Sequence, residues 1–190
     1  MTHSTIYYSS LAILVGATFL TFIAINLPSW AKFSIQTSDG RQTYGSIGLH
    51  VSCASPGHCQ PFPREDECHD SNGYFCFRWR SICFLVWISL ITDMVTLIGI
   101  SFVNRGGKRR RQRGWNLIPA LLSAASILQC VCTLAVAHIV NTDKRFEGWT
   151  LGLSWILCTV VWIISIALAL FIFRFKSIFE PDGDYELIPN

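Results

Sequence analysis

With 190 residues, of which 51% are hydrophobic and 14% charged, the chain is too apolar for an ordinary water-soluble domain. A formal net charge of +3 is too small to imply a nucleic-acid partner. Most of the basic residues flank apolar runs, a placement that suits lipid headgroups.

Four apolar runs cover about 9–27, 81–103, 115–140 and 150–173, each near or above the ~20 residues a helix needs to cross the hydrocarbon layer. Four crossings put both termini on one side. The leader before the first run has no Lys or Arg, and Asn26-Leu27-Pro28-Ser29-Trp30 after it offers no small-residue cleavage pattern. The run therefore reads as a retained helix, not a secretory signal. The expected fold is membrane α, a left-handed four-helix transmembrane bundle with a small antiparallel extracellular β-sheet in the first outer loop. It forms a single tetraspan domain over 1–190.

The loop 29–80 changes texture to turn residues and short alternating runs. Ala31-Lys32-Phe33-Ser34-Ile35-Gln36 alternates small or apolar with polar side chains, and Ser38-Asp39-Gly40-Arg41 is a turn signal, so a hairpin is expected. The next stretch, 44–53, contains Gly45 and Gly48, which weaken a strand unless they permit a bend or a close backbone approach. Pro56-Gly57 then makes a turn that brings Cys53 and Cys59 near enough to bond across neighbouring strands. So short a closed loop gains at or below the ~3 kcal/mol expected for fifteen residues, and its larger effect is to fix local geometry. Cys68 and Cys76 form a second candidate bridge around Asp70-Ser71-Asn72-Gly73, although four cysteines allow three pairings. A zinc site built from these cysteines with His58 and His69 competes, but no C-x-x-C spacing occurs and thiols outside a cell oxidise readily. No metal and no cofactor is expected. Glu65, Asp66, Glu67 and Asp70 read as a solvated charge run that can also draw cations toward a pore or a partner.

Orientation rests on charge density, because a count of Lys and Arg gives eight on the side of the connector and seven on the other. Arg105, Lys108, Arg109, Arg110, Arg111 and Arg113 crowd into the connector 104–114, the short-loop situation that holds a segment in the cytosol. The even set of loop cysteines suits an oxidising compartment on the opposite side. Both termini are therefore expected in the cytosol, with the connector attracted to anionic lipids by about 1 kcal/mol per basic residue. In the tail 175–190, Tyr185 and Ile188 fit the Y-x-x-Φ pattern by which clathrin adaptors capture membrane cargo.

Asp93 is the one acid deep in an apolar run, and ionised it would cost about 2.5 to 3.5 kcal/mol on insertion scales. It is expected to face the bundle interior, either as part of an ion or proton relay or as a hydrogen-bonded lock between helices through Gln129 or another polar side chain. The lock is the simpler reading because no second acid accompanies it. Gly16-Ala17 and Ser123-Ala124-Ala125-Ser126 permit close helix approach, Trp149 fits an interfacial belt, and Cys130, Cys132 and Cys158 read as small hydrophobes. There is no nucleophile-and-base arrangement, no phosphate-cradling glycine loop and no H-E-x-x-H, so a non-enzymatic protein is expected.

Trp30 just after the first run, then Gly48-Leu49, then Cys53 and Cys59, resembles the signature of the claudin, peripheral myelin protein and epithelial membrane protein superfamily, and the tetraspan layout is similar over essentially the whole chain. The resemblance implies a short antiparallel sheet in the first loop, a bridge between the two signature cysteines, a tryptophan region that seats the sheet on the helices, and an arginine at the foot of the second span, here Arg78 or Arg80. This chain departs from the pattern. His50 stands where a second signature tryptophan is usual, the interval between the cysteines is shorter, Cys68 and Cys76 are extra, and the end Ile188-Pro189-Asn190 is not the hydrophobic residue that docks a scaffold domain. The expected function is that of a claudin-like, multi-pass plasma-membrane protein forming cell-cell contacts or a paracellular barrier through its disulfide-braced sheet. Its partners are membrane lipids and copies of itself or claudin-like proteins. The alternative is an auxiliary subunit of an ion channel or receptor in the same membrane.

Overall fold

The computed structural model describes residues 3–36, 42–54, 57–64, 68, 73–105 and 108–179. In chain order these form α1 (His3–Asn26), β1 (Ala31–Gln36), β2 (Gln42–Ile47), β3 (Val51–Ala54), β4 (His58–Pro61), α2 (Gly73–Arg105), α3 (Lys108–Thr142), a 3-10 turn at Lys144–Phe146, β5 (Thr150–Leu151) and α4 (Leu153–Phe179).

Each helix contains a stretch long and apolar enough to cross a membrane: Tyr8–Asn26, Gly73–Val103, Leu117–Thr142 and Leu153–Arg174. At most 39% of any of these stretches is buried inside the molecule, so most of their apolar surface faces outward. Phe19, Phe84, Phe102, Leu134 and Leu170 are all largely exposed. A water-soluble fold would cover such a surface, and its extent is consistent with a multi-pass membrane protein. α1 ends where Pro28 cannot continue the helix, and the Asn26 side chain turns back to donate to the Phe22 carbonyl at 2.8 Å. Pro119 lies inside α3, where its ring removes one backbone donor without ending the helix.

The five strands form one antiparallel sheet in the order β4-β3-β2-β1-β5. β1 pairs with β2 from Ala31↔Ile47 to Gln36↔Gln42, and the turn expected at 38–41 lies outside the described residues.

Three elements start at places the hydropathy pattern does not mark. α2 begins at Gly73, so 73–80, read from sequence as loop, is its first two turns. α3 begins at Lys108, so most of the basic connector is helical. Thr150 and Leu151, read as the start of the fourth apolar run, are strand β5 and pair with Lys32 and Ala31, so the segment between α3 and α4 joins the sheet made between α1 and α2. The junction is close: Gly152 donates to the Trp30 carbonyl at 2.9 Å, and a Cβ at Gly152 would overlap the backbone of Ser29. Ser29 also closes the start of α4, its Oγ accepting from the Leu153 amide at 3.3 Å and its carbonyl from the Ser154 amide at 2.9 Å.

Candidate functional site

The sheet rests on the helix ends through two fully buried tryptophans. Trp30, between α1 and β1, donates its indole N–H to the Ala24 carbonyl at 2.8 Å, while its own amide bonds the Ile47 carbonyl at 2.7 Å. Trp79 on α2 donates to the Leu49 carbonyl at 3.2 Å, and the Cys83 thiol reaches the same oxygen at 3.2 Å. Leu49 can descend this far because Gly48 makes a tight reversal, its amide 2.7 Å from the Val51 carbonyl. A Cβ at Gly48 would stand 2.7 Å from Pro28 Cα. His50, next in the chain, accepts from the Trp87 indole at 3.0 Å. His50 thus meets a tryptophan supplied by α2, which the sequence pattern does not single out.

Around Trp79 the aromatic rings pack in a continuous cluster, some stacked and some edge to face. Phe62 lies 5.2 Å from Trp79, Phe75 6.0 Å, and Phe146 6.2 Å, with Trp149 and Phe33 extending the row toward β1. The Arg145 guanidinium sits 4.7 Å above the Phe75 ring. Of the two candidate signature arginines, Arg78 lies over the Tyr74 ring with its Nη2 3.4 Å from His138 Nδ1. Arg80 is exposed and lines an open groove of about 410 Å³ beside Cys68, Cys76, Phe77 and Phe84.

Two disulfides brace the cap. Cys53 and Cys59 are directly opposite in the β3–β4 ladder with Cα atoms 4.1 Å apart, and Cys68 is bonded to Cys76 in the first turns of α2 with Cα atoms 5.7 Å apart. The first fixes the register of the edge hairpin, and the second anchors the chain beyond β4 to a helix. β4 is exposed along its whole length and forms one edge of the sheet. Because the Phe62 amide bonds the His50 carbonyl at 2.9 Å, ladder alternation turns the backbone of Cys59 and Pro61 to the free side. That edge therefore offers two carbonyls and one N–H, since Pro61 has none to give. The opposite edge, β5, is only two residues long.

Glu65, Asp66, Glu67 and Asp70 lie outside the described residues, as do Tyr185 and Ile188. Arg105 is the last residue of α2, and Lys108, Arg109, Arg110, Arg111 and Arg113 fall in the first turns of α3.

Within the bundle the buried hydrophobic residues divide into two clusters, one beneath the sheet and one toward the far ends of the helices. Between them, every helix contributes buried polar groups: Thr18 and Thr21 on α1, Asp93 and Thr96 on α2, Ser126 and Gln129 on α3, and Ser165 on α4. Gln129 Nε2 lies 3.2 Å from Asp93 Oδ2 and 3.4 Å from Thr21 Oγ1, so one amide ties three helices. The hydroxyls of Thr18, Thr21, Thr96 and Ser126 donate back to carbonyls of their own helices and need no other partner. Thr21 is a contributor that pattern reading of α1 does not reveal, because a lone threonine in an apolar run has no periodic signal.

Comparison with models of known protein families finds no match, and comparison with curated protein sequences finds none.

Proposed function

We propose that the chain is a claudin-like, multi-pass plasma-membrane protein that makes contacts between cells, or a paracellular barrier, by presenting the sheet outside the cell at a fixed height. The observation that carries this reading is the construction of the cap. Two segments far apart in sequence, 31–61 and 150–151, meet in one sheet, which buried Trp30 and Trp79 seat directly on the helices. A mobile loop would lose conformational entropy each time a partner bound it, and a cap already ordered by two disulfides avoids most of that loss. The exposed β4 strand with its free carbonyls, and the turns beside it, form the surface offered to a neighbouring protein. The disulfides favour placing this end in an oxidising compartment, and the density of basic residues at 105–113 favours the cytosol for the other, which puts both termini inside. Membrane-surface lipids are the partners of that basic segment.

The test is to express the chain, tagged at either terminus, in cells that do not adhere to one another. Enrichment at borders shared by two expressing cells, with both tags stained only after permeabilisation, is the expected result. Uniform surface distribution together with a stoichiometric channel or receptor polypeptide co-purified in mild detergent would replace the reading with that of an auxiliary subunit.

A further inference from the structure

The buried polar layer has an unbalanced account of donors and acceptors. Asp93 is 1% exposed and Gln129 2%, and after the contact between Gln129 Nε2 and Asp93 Oδ2 is made, two oxygens of the pair, Asp93 Oδ1 and Gln129 Oε1, have no hydrogen-bond partner. Both atoms are acceptors if Asp93 is ionised. Across the layer, residues 15–23 of α1, 91–99 of α2, 123–131 of α3 and 159–167 of α4 contain no Lys, Arg or His. Asp93 is the only carboxyl group there, and the only other titratable side chain is Cys130. The Cys132 and Cys158 thiols lie in the adjoining cluster beneath the sheet. No positive group balances a buried carboxylate, and an uncompensated buried charge is the most expensive arrangement a protein interior can hold.

We propose that Asp93 is held as a neutral carboxylic acid that closes a two-point ring with the Gln129 carboxamide. In this ring Asp93 Oδ1–H donates to Gln129 Oε1, and Gln129 Nε2–H donates to Asp93 Oδ2. A carboxyl and a carboxamide are planar groups of nearly equal span, so once the Nε2 to Oδ2 limb is in place, the remaining pair of atoms is the two oxygens that lack partners. A single proton satisfies both. The second Nε2 hydrogen points to Thr21 Oγ1, which extends the clamp from α2 and α3 to α1. Trp162 Nε1 and Ser165 Oγ on α4 are also unpartnered but make no hydrogen bond to the pair, so they do not supply the missing donor. The proposal rests on the burial and composition of the layer and does not depend on which side of a membrane the sheet faces.

Infrared spectroscopy of the intact protein, labelled with ¹³C-aspartate and held in lipid at neutral pH, reads this directly. The expected result is an isotope-shifted C=O stretch of a protonated carboxyl, absent from Asp93→Asn and moved in Gln129→Leu, where the acid loses its acceptor. Asp93→Asn should melt close to the parent, because an asparagine offers the same donor and acceptor pair to Gln129, whereas Asp93→Ala should melt clearly lower. If no protonated-aspartate band exists in the unsubstituted protein, the proposal fails, and this measurement needs no variant to fold. It fails equally if the band is present but unmoved in Gln129→Leu, or if sodium ions abolish it, which would make the layer a cation site instead. Should Gln129→Leu not fold, the ¹³C–¹⁵N proximity of the Asp93 carboxyl and Gln129 side-chain nitrogen in the unsubstituted protein decides the pairing.

Discussion

Trp79 shows how much one position can carry. Its ring is fully buried, contacts three other aromatic rings, and holds the Leu49 carbonyl, whereas Phe84, less than two turns further along α2, is 65% exposed on the bundle surface. Truncating Trp79 removes apolar contacts, leaves a cavity, and leaves the Leu49 carbonyl with only the weak Cys83 thiol as donor. Trp79→Ala should cost about 3 to 5 kcal/mol, visible as a lower melting temperature in detergent and reduced surface expression. Phe84→Ala should change the melting temperature little, since its side chain faces outward in the folded protein. Equal effects would mean that the cap does not rest on α2. Read from the sequence, Trp79 falls in the loop and Phe84 in the apolar run, which is the reverse of their burial; the helix that holds both and the direction each faces on it decide which one packs.

Among the elements, β3 and β4 depend on the Cys53–Cys59 bond more than on burial, since β4 is exposed throughout. Replacing both cysteines with serine should lower stability by no more than about 3 kcal/mol, because the closed loop is short. The same change should raise amide exchange in β4 while leaving the helices protected, as hydrogen exchange followed by mass spectrometry would report. The start of α4 is a second case. Ser29 serves as its cap from outside the helix, so Ser29→Ala should cost about 1 kcal/mol through loss of the Oγ acceptor, measured as a shift in thermal unfolding. No helix-start motif precedes Leu153 in the chain; the capping group comes from a residue more than a hundred positions away.

For the molecule as a whole, the acidic run 65–67 precedes α2 in the sequence and the basic segment 105–113 begins at its last residue, so the stretch of α2 that is long and apolar enough to cross a membrane separates the two along the chain. If the cap borders a path between cells, the acids bias that path toward cations. Reversing Glu65 and Glu67 to lysine should then lower the cation-to-anion permeability ratio of an epithelial layer expressing the protein, without changing its surface level. An unchanged ratio would remove the pore reading and leave adhesion. If the connector is cytosolic as proposed, replacing Arg109, Arg110, Arg111 and Arg113 with glutamine should produce a fraction of molecules with exposed termini, detectable by staining unpermeabilised cells, because dense positive charge is what retains a short connector on that side.

What the sequence determined by itself is local and additive. Four runs of apolar residues sum to four helices, alternation and a turn signal make a hairpin from 31–36 and 42–47, and a Pro-Gly turn between two cysteines brings them to bonding distance. Each of these needs only neighbours within a few residues. The tertiary structure alone decided the rest: that β5 leaves the fourth apolar run to join β1, that Trp87 meets His50, that Ser29 caps α4, and that Thr21 joins the Asp93–Gln129 contact in one buried layer. These contacts join residues 37 to 124 positions apart, or three separate helices at one depth. Hydropathy and propensity are sums along the chain, and no such sum records which faces of two distant segments come to lie against each other.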